Sequence, residues 1–144
     1  MVEIAPLAAG DRAEWDVLAR GYKAFYEDPQ PDEVYDRLWS RLMGGDAIYG
    51  LGARLDGRLV GMSHYMFHAN AWMADVCYLQ DLFTAPEARG LGVAGALIHA
   101  VADAARARGC AKYYWLTKQD NERARRLYDQ VARFKGFLRY DYAL

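Results

Sequence analysis

Leu79-Gln80-Asp81-Leu82-Phe83-Thr84-Ala85-Pro86-Glu87-Ala88-Arg89-Gly90-Leu91-Gly92-Val93-Ala94 decides how this chain folds: a β-rich run gives way to a proline-marked loop, then to a helix entered through glycines. At such a junction the unpaired N–H groups of the first helical turn and the positive end of the helix dipole converge, and small residues let an anion approach. The turn therefore reads as a phosphate-binding site, to which Arg89 adds a charge. Gly90 to Gly95 is also a literal G-x-G-x-x-G. A dinucleotide fingerprint, however, follows the first strand of its unit and needs an acidic residue about 20 positions further on. Here that region is Trp115-Leu116-Thr117, and no Gly-Lys-Ser/Thr follows the glycines to make a P-loop.

Working outward, about Asp75 to Thr84 reads as a strand ended by Ala85-Pro86. Ile48 to Arg54 and Arg58 to Phe67 are β-rich runs joined by Leu55-Asp56-Gly57, where Asp-Gly marks a hairpin. Two helices precede them. Asp11 with Glu14 three residues later predicts an N-cap pair, and Trp15, Leu18, Tyr22 and Phe25 recur at three and four to about Tyr26. The second helix starts near Pro31 with Asp32 and Glu33 in its first turn, presents Tyr35, Leu38, Trp39 and Leu42, and stops at Gly44-Gly45. Val2 to Ile4 is a short strand ahead of both. Downstream, Gly92 to about Arg108 is a long helix closed by Gly109, and Ala111 to Thr117 is a strand. Asp120 is expected to cap a helix through about Arg133, and Phe137 to Tyr142 is expected as the last strand. The sum, β-α-α-β-β-β-α-β-α-β, predicts a mixed α/β sheet with helices on its faces.

A length of 144 residues fits one domain over residues 1–144, and 53% hydrophobic with 26% charged residues excludes disorder. Lys and Arg total 18 against 19 Asp and Glu, without the positive excess that a nucleic-acid backbone recruits. The most apolar helix-like run, Val93 to Ala102, is stopped by Asp103, far short of the ~18 to 20 residues of a membrane span. No secretory signal pattern is present, and Cys77 and Cys110 lie outside any metal-ligand spacing, so reduced thiols and a cytoplasmic location are expected. His64 and His68 sit four apart on an alternating run, which puts them on one face of a strand. With no third ligand, no metal is expected there, and they read as packing, surface or cleft-lining residues. Aromatics reach 14%, and the polar tips of eleven tyrosines suit a lined cleft as well as a core.

Asn121, Ala124, Leu127 and Tyr128 then recur at helical spacing, followed by Gly136-Phe137. With these residues the chain resembles the GNAT N-acetyltransferase superfamily over essentially its whole length. The acetyl-coenzyme A motif, Q/R-x-x-G-x-G/A, is matched by Arg89, Gly92 and Ala94, and the N-x-x-A-x-x-x-Y helix by Asn121, Ala124 and Tyr128. Tyr26, Tyr78 to Phe83 and Tyr114 to Tyr128 look most like the small diamine acetyltransferases and the yeast histone-and-polyamine type. The eight-residue step from Tyr128 to Gly136 is longer than in many members and is expected to extend the last helix.

The resemblance implies a GNAT fold: a twisted, mixed but mostly antiparallel sheet flanked by about four helices. It also implies an acyltransferase that moves acetyl from acetyl-CoA to a primary amine by direct attack in a ternary complex. In that picture the backbone of Leu82, Phe83 and Thr84 holds the pantetheine arm, Arg89, Gly90, Leu91, Gly92, Val93, Ala94 and Gly95 hold the pyrophosphate, and Asn121 contacts the cofactor. Tyr128 is the expected general acid toward the departing thiolate and Asp81 the expected base, with Glu27 as an alternative acting through water. Tyr26, Glu27 and Gln80 are expected to bind substrate. Acids and aromatics between Tyr22 and Trp39 suit a cationic small amine, such as a polyamine, a lysine-like amine or an amino acid. The competing reading is a non-catalytic acetyl-CoA sensor or interaction module. A homodimer is admitted, because members commonly pair through sheet edges.

Overall fold

Asp56 and Gly57 take positive φ values of 50° and 80°, the turn geometry that Asp-Gly favours, and reverse the chain between two long strands. Around that hairpin a computed structural model describes residues 1–144. The elements run β1 (Glu3–Pro6), α1 (Arg12–Phe25), α2 (Asp32–Gly44), β2 (Tyr49–Leu55), β3 (Arg58–His68), β4 (Val76–Thr84), α3 (Val93–Arg108), β5 (Lys112–Trp115) and α4 (Glu122–Val131). The sheet order is β1-β2-β3-β4-β5, antiparallel throughout except for the parallel β4–β5 pair. This is the mixed, mostly antiparallel sheet with four helices that the motifs imply.

Each face of the sheet has its own core. On one side α3 buries Val93, Leu97, Ile98, Val101 and Ala105 against Leu51, Ala53, Tyr65, Cys77 and Leu79. On the other, Trp15, Leu18 and Ala19 of α1 and Tyr35 and Leu42 of α2 close over Leu59 and Met62. Fully buried side chains such as Leu97 and Trp15 each contribute on the order of 2–3 kcal/mol of transfer free energy. No helix is long and apolar enough to cross a membrane.

One irregularity positions the site. Tyr65 faces Leu79 across the β3–β4 ladder, but the next β3 residue, His64, faces Asp81, so Gln80 is an extra residue on β4. A bulge of this kind shifts the side-chain alternation by one. Without it Asp81 would share the face of Leu79 beneath α3; with it, Asp81 comes round to α1, while Leu82 joins Leu79 against the α3 core.

Four expectations are corrected. Asp11 does not cap α1: its carboxylate accepts from Ala8 N–H at 2.8 Å across a preceding 3-10 turn, and Glu14 accepts from Leu59 N–H at 2.8 Å. Asp11 is taken by this local turn and by the Arg54 guanidinium, and Glu14 by a donor from β3. Asn121, not Asp120, is the N-cap of α4, because its Oδ1 accepts from Ala124 N–H at 3.4 Å. The step from Tyr128 to Gly136 does not lengthen α4, which ends at Val131 and gives way to extended backbone at Ala132. Finally, Phe137 to Tyr142 forms no strand. Alternation records β propensity, but a strand needs a partner ladder, and these residues pair with none of the five strands and stay exposed.

Candidate active site

β4 and β5 run side by side only from Val76–Lys112 to Leu79–Trp115. At the Gln80 bulge they part, and β4 continues to Thr84 with no strand on that side. Its backbone donors and acceptors there are free to pair with an extended ligand. The opening is a narrow cleft lined by Tyr22, Tyr26, Leu79, Gln80, Leu82, Trp115, Leu116 and Tyr128. Tyr26 and Gln80 thus meet Tyr128, as expected. Glu27 stays outside this lining, exposed at a turn where its φ is 53°.

The glycine turn opens beside the same strand. Gly90 and Gly92 adopt φ of 79° and 82°, a left-handed geometry that disfavours any side chain, and Gly92 is the N-cap of α3. The first intrahelical bond runs from Ala96 N–H to the Gly92 carbonyl, leaving the N–H groups of Val93, Ala94 and Gly95 without an intrahelical acceptor. Arg89 is half-buried and pairs with no carboxylate. The Thr84 hydroxyl is buried without a partner. Free donors, a free cation and an open glycine surface fit a phosphate-bearing ligand, as the sequence implies.

Tyr128 projects from α4 into the cleft and meets Trp115 edge-on at 5.4 Å. Burial, aided by the neighbouring Tyr26 hydroxyl, pushes its phenol up to about 12. It stays protonated across the physiological range and can only donate to an anion beside it.

Asp81 is not part of that lining; it lies behind Tyr22, one residue beyond Gln80. Its Oδ2 lies 2.8 Å from His64 Nδ1, and the Tyr22 hydroxyl is within its hydrogen-bonding reach. Burial alone would raise this carboxyl, but the hydrogen bond from His64, the Tyr22 hydroxyl and the Lys23 charge outweigh it and hold it below the usual range. Burial raises Tyr22 strongly, and the Asp81 charge adds to that shift. The same two influences raise Tyr26. Tyr78, raised by burial and by Asp81 although Arg139 lowers it, completes an aromatic ring around the carboxylate. Lys118 lies 5.8 Å from the centre of the Tyr26 ring.

Asn121 caps α4 and donates from Nδ2 to Thr117 Oγ1 at 3.3 Å, so its documented contacts are local. His68, by contrast with His64, is exposed and contacts the Tyr114 hydroxyl at 3.0 Å. The pattern of the sequence did not single out His64, Trp15 or Tyr22 as partners of Asp81. Their shared face was legible only as a strand alternation and a helical stripe.

A sheet parted beside an anion-ready helix start, with a phenol lining the gap and a carboxylate behind it, defines a group-transfer enzyme of the acyltransferase kind. Comparison with known proteins agrees: the Acetyltransferase (GNAT) family profile matches residues 15–133, and the chain belongs to that family. A D-amino-acid N-acetyltransferase of Saccharomyces cerevisiae is 31% identical over 126 residues, covering 85% of this chain and 78% of the relative. A thialysine N-epsilon-acetyltransferase of Bos taurus is 34% identical over 116 residues, 81% of this chain and 68% of that one. Among solved structures, AAC(6')-Iy in complex with the bisubstrate analogue CoA-S-monomethyl-acetylneamine superposes with a TM-score of 0.87, covering 100% of this chain and 98% of that chain at 19% identity. That likeness is one of fold. The protein is therefore an acetyltransferase, and the sensor reading falls away.

Proposed function

We propose that residues 1–144 act as a single catalytic domain that transfers acetyl from acetyl-CoA to a small primary amine by direct attack in a ternary complex. The observation that carries this reading is the gap between β4 and β5, lined by Tyr128 and backed at Tyr22 by an anionic Asp81. The free β4 backbone at Leu82, Phe83 and Thr84 pairs with the pantetheine arm, and the turn from Arg89 to Gly95 takes the pyrophosphate. Asn121 contacts the cofactor from the start of α4. Relatives named for D-amino acids and thialysine support an amino-acid or lysine-like acceptor, and the acidic, aromatic surround supports a cation.

In the reaction the neutral amine attacks the thioester carbon and a tetrahedral intermediate forms. The former amine nitrogen, now positively charged, becomes acidic, and Asp81 accepts its proton. Collapse breaks the C–S bond, and the departing sulfur is met by the Tyr128 O–H. A phenol near 12 donates uphill to a water-exposed thiolate, whose acid lies near ~8.5. A sulfur leaving inside the same apolar cleft is desolvated and more basic, which narrows the gap. Tyr128 therefore acts first by hydrogen bonding and completes the transfer as the thiolate separates. Tyr26 and Gln80 hold the acceptor, and Glu27 offers its charge from the exposed turn outside the lining.

Two further readings accompany this one. The free thiols of Cys77 and Cys110 support a cytoplasmic setting, and the unpaired, aromatic C-terminal arm supports a homodimer.

The deciding experiment measures free coenzyme A thiol released from acetyl-CoA with polyamines, lysine analogues, amino acids and histone-tail peptides. Wild type and Tyr128→Phe are compared. Release with one amine class, strongly reduced in the variant, is the expected outcome. Cofactor binding without release on any amine would overturn the proposal.

A further inference from the structure

His64 sits on β3 at 2% exposure, yet both of its ring nitrogens have partners. Nδ1 lies 2.8 Å from Asp81 Oδ2, and Nε2 lies 2.9 Å from Trp15 Nε1. An indole N–H can only donate, so Nε2 must accept from it. The ring then carries its single proton on Nδ1, where it donates to the Asp81 carboxylate. Trp15 has no freedom to withdraw: it is fully buried and packs against Trp39 at 4.9 Å. The chain Trp15, His64, Asp81 is thus a directional relay of hydrogen bonds that begins in the α1–α2 core and ends at a carboxylate in contact with the cleft residue Tyr22.

We infer that His64 is a positioning residue for Asp81, with Trp15 fixing its tautomer and the fixed tautomer aiming the carboxylate at the acceptor amine. The catalytic half of this inference rests on the proposed role of Asp81 in amine acetylation; the tautomer does not. The charged and titratable groups facing the pair are Arg12, Tyr22, Lys23 and Tyr26 from α1 and Tyr78 from β4, with the uncharged Trp39 contributed by α2.

The test combines a spectroscopic and a kinetic arm. Histidine-labelled full-length protein contains only three such residues, so His64 is assigned in the NMR spectrum by its loss in His64→Gln. The expected wild-type signal is the Nδ1–H tautomer, with the Nε2–H form appearing in Trp15→Phe. An Nε2–H tautomer in wild type, or the same tautomer balance in wild type and Trp15→Phe, would overturn the inference. This arm reads out even if no amine is acetylated, which separates its failure from failure of the proposed function. In the kinetic arm, His64→Leu should lower kcat more than 10-fold, leave the KM for acetyl-CoA within twofold and shift the acidic limb of the pH profile. His64→Gln, whose amide can accept from Trp15 and donate to Asp81, should restore most of the loss. Equal activity and equal pH profiles in the Leu and Gln variants would reduce His64 to packing. Trp15→Phe keeps the question answerable if His64→Leu does not fold.

Discussion

Tyr128 is raised to about 12, which has a direct consequence for pH. An acid whose pKa lies that high is not lost as the solution becomes alkaline, so a kcat profile should show no basic limb from Tyr128 up to about pH 10. Replacing Tyr128 with Phe should lower kcat by ~10²-fold, in the range expected for a general acid, while the KM for acetyl-CoA stays within about twofold. Initial-rate kinetics against both substrates check this. Asp81 carries the opposite shift. Its carboxyl is held below the usual range, so it contributes stability that is present above the ordinary carboxylate pKa and fades as pH falls through the lower folded value. Asp81→Asn should therefore melt below wild type at pH 7, with the difference closing in strong acid, and should lower kcat/KM for the amine by ~10²-fold. Thermal melts across pH and amine saturation curves test the two halves. Tyr128 and Asp81 were both expected from the family resemblance. The partners of Asp81 were not, because Trp15 and His64 are 49 positions apart and meet only when α1 closes over β3.

At the scale of elements, strand and helix identities followed from periodicity and from turn residues, while their ends followed from tertiary donors. Asn121 shows the distinction. Its cap on α4 is worth about 1 kcal/mol, so Asn121→Ala should lower the melting temperature by a few degrees. Asn121→Asp keeps a capping oxygen and should keep that stability, yet it places a negative charge where the proposed cofactor contact lies. A raised KM for acetyl-CoA with an unchanged melting temperature in Asn121→Asp separates the two roles. An unchanged KM leaves Asn121 as a cap alone. The Gln80 bulge is the other element-scale device. Propensity cannot reveal it, since an extra residue in a strand shows only when the partner strand is set beside it.

For the whole molecule, the C-terminal arm is the largest departure from expectation. Phe137, Leu138, Tyr140, Tyr142 and Leu144 are each more than three-quarters exposed, and Arg139 lies near enough to influence Tyr78. In the proposed homodimer these residues find their cover in a second copy. Removing residues 137–144 should then convert a dimer to a monomer in light scattering at micromolar concentration; a monomeric wild type would refute the dimer. The sequence by itself determined the element order as far as α4, the two amphipathic helices, the glycine-entered α3 and the pairing of Arg89, Gly92 and Ala94 with Asn121 and Tyr128. Those are local patterns, written within one helical turn or one strand alternation. Only the tertiary structure decided where β4 and β5 part, which face Asp81 takes, which tautomer His64 holds and that the last β-rich run has no strand beside it. Each of those depends on atoms brought together from distant positions, and a hydrogen bond or a ladder exists only once both partners are in place.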